Sequence, residues 1–345
     1  MRIHALILRI FCKEQRMDIV MKSKPPGIET KSSLRVTGWL RGEARGWKKA
    51  FRNDYDLYLL ILPVIAYFVI FCYIPMYGIQ IAFKNFNPGL GIEASPWVGL
   101  DHFYRFINGV WFGRVLQNTL TISIYSLLIS IPAPIILALL FNEIKHKPLR
   151  VVTQAVSYAP NFISTVVMAS MIIMFLTPGS GFLDAFLRML GYSSEQSILN
   201  SPSAFSHIYV WSGIWQGVGW SSVIYTAAIE GVPAELYEAA KIEGASKLKQ
   251  IWYITLPTIS PTIIILAILA VGGVLNVGYE KAFLLQTTAN VEASEVISTY
   301  VYKTGLVKAQ YSFGAMVGLF NNVINFIILF AANALARRLG DTSLW

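Results

Sequence analysis

The sequence predicts an all-α membrane protein. Of its 345 residues, 55% are hydrophobic and only 14% are charged, and the mean hydropathy is +0.54, more apolar than an ordinary soluble domain. Six segments are long and apolar enough to cross a bilayer, and the loops between them alternate in charge. Because lipid offers the backbone no hydrogen-bond partner, each segment is predicted to be a helix.

The six predicted spans share a length of about 20 residues or more, with few charges inside. They are Leu57–Tyr77, Leu116–Phe141, Val151–Leu176, His207–Ile229, Thr262–Leu285 and Phe313–Ala336. Together they predict a membrane domain over residues 57–336. A basic N-terminal tail, 1–56, precedes it and a short C-terminal tail, 337–345, follows it.

The basic residues are concentrated on one side of these spans. Lys and Arg number thirteen in residues 1–56, three in 142–150, three in 231–261 and two in 336–345, out of 28 in all. The positive-inside rule therefore predicts that both termini and these two loops are cytoplasmic. The net charge of +9 is then explained by topology, which argues against nucleic-acid binding.

Two shorter segments leave alternatives open. The leader has an apolar run followed by Glu14 and Asp18, without the small-residue cleavage site of a signal peptide. It is either an amphipathic surface segment or sequence upstream of a true start at Met17 or Met21. Residues 181–191 have apolar side chains at helical spacing and predict a short helix, lying in the membrane interface or packing on the core.

Catalytic, metal-binding and nucleotide-binding motifs are missing from the sequence. Cys12 and Cys72 suggest neither a disulfide framework nor a metal cluster, and the four His residues are scattered. No H-E-x-x-H, G-x-S-x-G or P-loop pattern occurs, which argues against an enzyme and a self-contained ATPase. An ion-coupled transporter usually carries ionisable groups near mid-membrane, and only Glu280 and Lys281, predicted to face water or snorkel at a span end, come close.

The predicted cytoplasmic loop Val232–Pro261 has the features of a helix–turn–helix. Pro233 is suited to begin a short helix, and Gly244 to end it with a conformation costly for other residues. Ser246 can cap a second short helix, and Pro257 marks a break before the fifth span. The most specific pattern consists of an EAA triplet, three spacers, Gly, nine spacers and I-x-L-P, formed by Glu238, Ala239, Ala240, Gly244, Ile254, Leu256 and Pro257.

This pattern resembles the coupling motif of permeases of the binding-protein-dependent ABC importers. The resemblance implies a type I importer permease fold with six transmembrane helices. It also implies partners: a second homologous permease, two ATP-binding subunits and an extracytoplasmic solute-binding protein. In that family the element inserts into a groove of the ATPase, so Glu238 would contact the ATPase, Ala239 and Ala240 would form the packed face, and Gly244 would shape the turn. This chain would bind no cofactor, because ATP and Mg belong to the partner ATPase.

Further segments resemble the carbohydrate-importing branch, particularly its permeases for complex oligosaccharides and polysaccharide fragments. They are Tyr58–Phe86, Trp97–Phe103, Gly272–Leu285, Ser298–Leu306 and Ser343–Trp345. Ser298 departs from the pattern, since such relatives often have an acidic residue there. The resemblance implies import of a carbohydrate, an oligosaccharide above all, and a peptide or amino acid is the alternative.

Polar and aromatic residues within the spans are candidates for the substrate pathway, because sugars bind to aromatic faces and hydrogen-bonding groups. The candidates are Tyr158, Asn161, Trp211, Trp215, Gln216, Trp220, Asn276, Tyr279 and Glu280. The aromatic ones could instead form the interfacial belt, and the polar ones could join neighbouring helices. Asn321, Asn322 and Asn325 are expected to make interhelical hydrogen bonds rather than line a cavity.

Overall fold

A computed structural model describes residues 55–179, 181–189 and 197–339. Within these ranges the chain is helical, and the two β-bridges, Lys84 with Trp97 and Asn87 with Gly91, belong to no strand. Most of the predicted tails and the Ser343–Trp345 segment lie outside the described residues. The prediction of an all-α protein is confirmed for the part of the chain that the structure describes.

The helical segments are numbered in chain order, and several join shorter pieces. They are α1 Tyr55–Phe83, α2 Gly91–Ala94, α3 Asp101–Ile107, α4 Phe112–Glu143, α5 Lys147–Phe162, α6 Thr165–Leu176, α7 Phe182–Met189, α8 Pro202–Glu230, α9 Ala234–Ile242, α10 Lys247–Gly272, α11 Tyr279–Leu284, α12 Val291–Ser294, α13 Ile297–Val301 and α14 Tyr311–Leu339.

Four helical runs in the described residues are long and apolar enough to cross a membrane: α1, α4, α10 and Tyr311–Arg338 of α14. The pair α5 and α6 passes the same test together, although the two helices are bent by 95°. The fourth predicted span forms α8, whose 29 residues are long enough to cross a bilayer but less apolar than the others. All six predicted segments therefore contain helices.

The third predicted span, Val151–Leu176, is not one straight helix. Pro160 lies in a 3-10 turn, Ala159–Phe162, which ends α5. Ser164 then begins α6 in an extended conformation, and its side chain accepts a hydrogen bond from the Val167 N–H at 3.4 Å. This N-cap stabilises a new helix start, so the chain changes direction between the two halves.

The predicted bounds of the fifth span, Thr262–Leu285, are wrong at both ends. Helix α10 begins fifteen residues earlier, at Lys247, because a π turn over Ile251–Thr255 carries the helix up to Pro257. Pro257 therefore does not break the helix, because it lies in the first turn of the α-helical part Leu256–Gly272 that follows the π turn, and such a turn tolerates proline. The helix ends at Gly272, where a β-carbon would lie 2.6 Å from Leu329 Cδ1 of α14. Asn276, Tyr279 and Glu280 consequently lie beyond the span.

Helix α8 is the central contact element of the described chain from Met76 onward. It packs against α4, α5 and α10. Its closest approach is at Gly219, where a β-carbon would lie 1.9 Å from Ser157 O of α5. A cluster of buried apolar side chains, including Tyr225, Ile229 and Ile259, joins α8 to α4 and α10. This packing fixes α10 directly beside the end of α8 from which the loop Val232–Pro261 leaves.

The short helix predicted within residues 181–191 is confirmed as α7, Phe182–Met189. Phe182, Phe186 and Met189 are exposed in the chain on its own. Exposed apolar side chains on a short helix are compatible with the membrane interface, and the choice between interface and core packing stays a prediction.

Candidate functional site

The loop Val232–Pro261 forms the predicted helix–turn–helix. Helix α9 ends beside Gly244, whose φ of +74° lies in the left-handed region. A β-carbon there would meet open space, so the backbone conformation alone requires glycine. The Gly244 N–H donates to Lys241 O at 3.1 Å and the Ala245 N–H to Ala240 O at 2.8 Å, which closes the end of the helix.

Two details of this loop differ from the prediction. Pro233 is the N-cap residue and not the first residue of α9, which begins at Ala234. Ser246 occupies the N-cap position of α10, but its hydroxyl makes no capping bond. The Gln250 side chain instead donates to Ala245 O at 2.9 Å, so a side chain one turn further on stabilises the same corner.

The residues of the EAA pattern lie on two sides of this element. Glu238 and Ala239 are exposed and Ala240 is half-buried, so this part of α9 presents small side chains beside the Glu238 carboxylate. Ile254 and Leu256 pack against the buried cluster at the end of α8, and Pro257 is exposed. The outer side is therefore free to contact a partner, while the inner side attaches the loop to the membrane helices.

Two side-chain contacts that the sequence did not reveal hold the inner side of the loop. Tyr237 Oη and Thr255 Oγ1 share a hydrogen bond at 2.9 Å. The Lys247 ammonium forms an ion pair with Glu143 at the end of α4, at 3.0 Å. The EAA pattern reflects the surface that a partner would contact, so it does not indicate hydrogen bonds or ion pairs on the inner side of the loop.

Four pathway candidates come together at the bend between α5 and α6. Gln216 donates to Ile163 O at 2.8 Å, and Phe162 contacts the Trp220 ring edge-on at 6.0 Å. Tyr158 and Asn161 are half-buried on either side of Pro160, at the same bend. The broken helix and α8 thus form a polar and aromatic region, although Gln216 is already engaged in joining the two elements.

Asn276 lies in a second group, at the end of α10 away from the loop. Asn321 and Asn325 of α14 each donate to Asn276 Oδ1 at 3.0 Å, and Asn325 also accepts a hydrogen bond from the Leu275 N–H at 3.0 Å. Asn321 and Asn325 thus join α14 to the non-helical segment after α10 and not, as the sequence predicted, to another helix, while Asn322 is exposed.

The remaining candidates are largely exposed. Tyr279 stacks with Tyr302 at 4.8 Å, and neighbouring Glu280 is exposed. Trp211 and Trp215 are about half exposed on α8. These positions fit either a pathway or an interfacial belt, so their roles stay predictions.

Lys281 contradicts the expectation that it faces water or snorkels. It is buried, and its ammonium donates to Tyr209 O of α8 at 2.5 Å while lying 4.5 Å from the Tyr209 ring centre. Gly213 provides the space, because a β-carbon there would lie 3.1 Å from the Lys281 ammonium. Helix α11 turns back from the end of α10, so Lys281 packs on α8.

The sequence also did not reveal an ion pair between a half-buried lysine and a buried carboxylate near the same end of α10. Lys303 contacts the Glu295 carboxylate at 2.5 Å, and only 5% of the Glu295 side chain is exposed. Thr299 and Gln286 donate to the same carboxylate at 3.0 and 3.2 Å. Ser298, the departure noted above, donates to Val277 O at 2.9 Å. Two charged residues eight apart in an otherwise uncharged segment were the available signal.

These features define a class: a helical membrane protein with a helix–turn–helix loop that has an exposed outer surface. The chain belongs to the family described as "Binding-protein-dependent transport system inner membrane component", whose model matches residues 130–341. Members of this family are components of transport systems.

Relatives and a solved structure agree with this assignment. Protein LplB of Bacillus subtilis (strain 168) is 38% identical over 305 residues, which are 88% of this chain and 95% of LplB. The polygalacturonan/rhamnogalacturonan transport system permease protein YteP of the same organism is 40% identical over 289 residues, 84% of this chain and 90% of YteP. A chain of a bacterial alginate ABC transporter, crystallised with an alginate pentasaccharide-bound periplasmic protein, matches with a TM-score of 0.79 at 38% identity. The match covers 86% of this chain and 99% of that one, so the fold is that of the type I importer permeases.

Proposed function

We propose that this chain is a transmembrane permease subunit of an ATP-driven importer that moves a carbohydrate, specifically an oligosaccharide, across the cytoplasmic membrane. The observation that carries the proposal is the helix–turn–helix Val232–Pro261. It presents Glu238 and Ala239 outward at one end of the long helix α10 and attaches to the buried cluster at its inner side.

A separate ATPase follows from this assignment. The sequence has no P-loop, so ATP and Mg would be bound by partner subunits that dock on α9. Glu238 would pair with a basic group of the ATPase, and Ala239 would allow its close approach. In the proposed complex this chain pairs with a second permease, two ATP-binding subunits and an extracytoplasmic binding protein.

Orientation follows from the charges. Residues 1–56 and the loops 142–150 and 231–261 carry most of the Lys and Arg, which favours the cytoplasmic side for both termini and for α9. Closure of the ATPases on ATP would then move α9 and change the side to which the membrane cavity opens. The chain's own contribution is mechanical and not catalytic.

The substrate class rests on the relatives. YteP is described for polygalacturonan and rhamnogalacturonan, and the structural relative for alginate, so complex oligosaccharides are the proposed cargo. The bend region with Gln216 and Trp220 and the amide group at Asn276 offer the hydrogen-bond and aromatic partners that sugars require.

The test is uptake by the purified complex in proteoliposomes. The permease, its genomic partner subunits and the binding protein are reconstituted, and labelled oligosaccharides, peptides and amino acids are compared. We expect uptake of an oligosaccharide only with ATP inside and binding protein outside. Uptake driven by an ion gradient without the ATPase, or of peptides alone, would contradict the proposal.

A further inference from the structure

The helices α9 and α10 are joined twice, once by the chain and once by a hydroxyl pair. Tyr237 Oη of α9 and Thr255 Oγ1 of α10 lie 2.9 Å apart. Thr255 is 2% exposed, and its hydroxyl also donates to Gln250 O at 3.4 Å. Because a hydroxyl has one proton, Tyr237 is the donor in the shared bond whenever Thr255 donates to Gln250 O.

The chain connection between the two helices is short and open. It passes through residues 243–246, where Glu243, Gly244 and Ser246 are exposed and Gly244 has a positive φ. A force applied to the outer side of α9 would pivot this helix about the turn if nothing else held it. The Tyr237–Thr255 hydrogen bond connects the two arms beyond the turn, so it opposes this pivoting.

The Tyr237–Thr255 hydrogen bond joins α10 at a π turn of that helix. Thr255 is the last residue of the π turn Ile251–Thr255, after which the Leu256 N–H donates to Ile251 O, five residues back. Single π turns within α-helices often occur at functional sites. A force on Thr255 therefore acts where α10 departs from the regular α-helical hydrogen-bond pattern, at the start of its membrane-crossing part.

We propose that Tyr237 and Thr255 are positioning residues, whose shared hydrogen bond carries the movement of α9 into α10. The inference rests on the proposed function of the loop and adds the residues that transmit its movement. Thr255 is buried, and the Tyr237 hydroxyl is directed to Thr255. Loss of a hydroxyl is expected to leave the subunits assembled while lowering the number of substrate molecules moved for each ATP hydrolysed.

The experiment measures ATP hydrolysis and oligosaccharide uptake in the same proteoliposomes. Tyr237→Phe and Thr255→Val are expected to lower the transport-to-ATP ratio by about threefold to tenfold, the range that one neutral hydrogen bond supports. Thr255→Ser keeps the hydroxyl and should keep the ratio. The matched control is Tyr253→Phe, since Tyr253 lies in the same π turn but is 79% exposed, and its ratio should not change.

A double variant separates a shared bond from two independent roles. If the residues act through one bond, Tyr237→Phe with Thr255→Val lowers the ratio no more than either change alone. Additive losses, or an unchanged ratio in Tyr237→Phe, would overturn the inference while ATP-driven uptake by the wild type still supports the proposed function. A wild-type complex without ATP-driven uptake would reject both. If the Thr255→Val complex does not assemble, the transport-to-ATP ratio of Tyr237→Phe alone tests the inference, because this change removes a single oxygen atom.

Discussion

The two ends of helix α10 differ in whether their charged side chains are exposed or buried. At one end, the Val232–Pro261 loop exposes Glu238 and Ala239, and its shape depends on one glycine, Gly244. At the other end, beyond Gly272, Lys281 and Glu295 are buried, and Thr299 and Gln286 donate hydrogen bonds to the Glu295 carboxylate that pairs with Lys303. The difference suggests that the first end moves against a partner while the second end holds the helices in place.

The largest expected effect is at the end beyond Gly272. Lys303→Met leaves the buried Glu295 carboxylate without its counter-charge, so we expect a loss of about 3 kcal/mol in the free energy of unfolding. Thermal unfolding in detergent measures this loss. Combining Lys303→Met with Glu295→Leu should restore much of the stability. The control is Arg114→Met, because the Arg114–Glu292 pair is exposed and contributes about 0–1 kcal/mol. Equal losses in the two single variants would remove the proposed contrast between the ends.

The second effect is at the loop. Gly244→Val forces a β-branched residue into a positive φ, at a cost of about 1–2 kcal/mol or more, and should reduce ATP-driven uptake about tenfold. ATP hydrolysis should lose its dependence on loaded binding protein. Gly318→Ala on α14 is the control, since a β-carbon there meets open space in a helix. Normal substrate-stimulated ATPase activity in Gly244→Val would argue against the coupling role.

The third effect concerns surface charge and not fold. Glu238→Lys reverses a charge on the exposed side of α9, so uptake should fall severalfold while thermal stability changes by less than about 0.5 kcal/mol. Copurification of the ATPase with the permease measures the docking. Glu243→Lys is the matched control, because Glu243 is equally exposed but lies five residues on, at another side of the helix end. Equal losses in both variants would indicate general electrostatics and no specific contact.

The smallest effect is expected at the Lys247–Glu143 ion pair. Both side chains are substantially exposed, so Lys247→Met should change stability by less than about 1 kcal/mol. Its effect on uptake should diminish further as salt is raised. A large, salt-independent loss of uptake would mean that this pair, and not Tyr237 and Thr255 alone, holds the loop to the membrane helices.

The contrast between the two ends also explains which features could be predicted. Ala239, Ala240, Gly244 and Leu256 are close in sequence, so their spacing shows one surface element and its turn. Lys281 and Tyr209 are 72 residues apart, and Asn276 and Asn325 are 49 apart. Nothing local in the sequence indicates such partners. The local sequence therefore predicts that Lys281 faces water and that Asn325 bonds to another helix, whereas Lys281 is buried against Tyr209 and Asn325 bonds to Leu275 and Asn276 beyond α10.

The sequence by itself determined the helical class, the positions of the apolar segments and the coupling-type loop, because hydropathy, charge and glycine preference are local properties. Only the tertiary structure decided where α10 begins and ends, that the third span bends at Pro160, and which groups are buried. Those features depend on contacts between distant segments: Gly272 against Leu329, Gly219 against Ser157, and Lys281 against Tyr209. At these places the packing of neighbouring helices overrides what each segment would do alone.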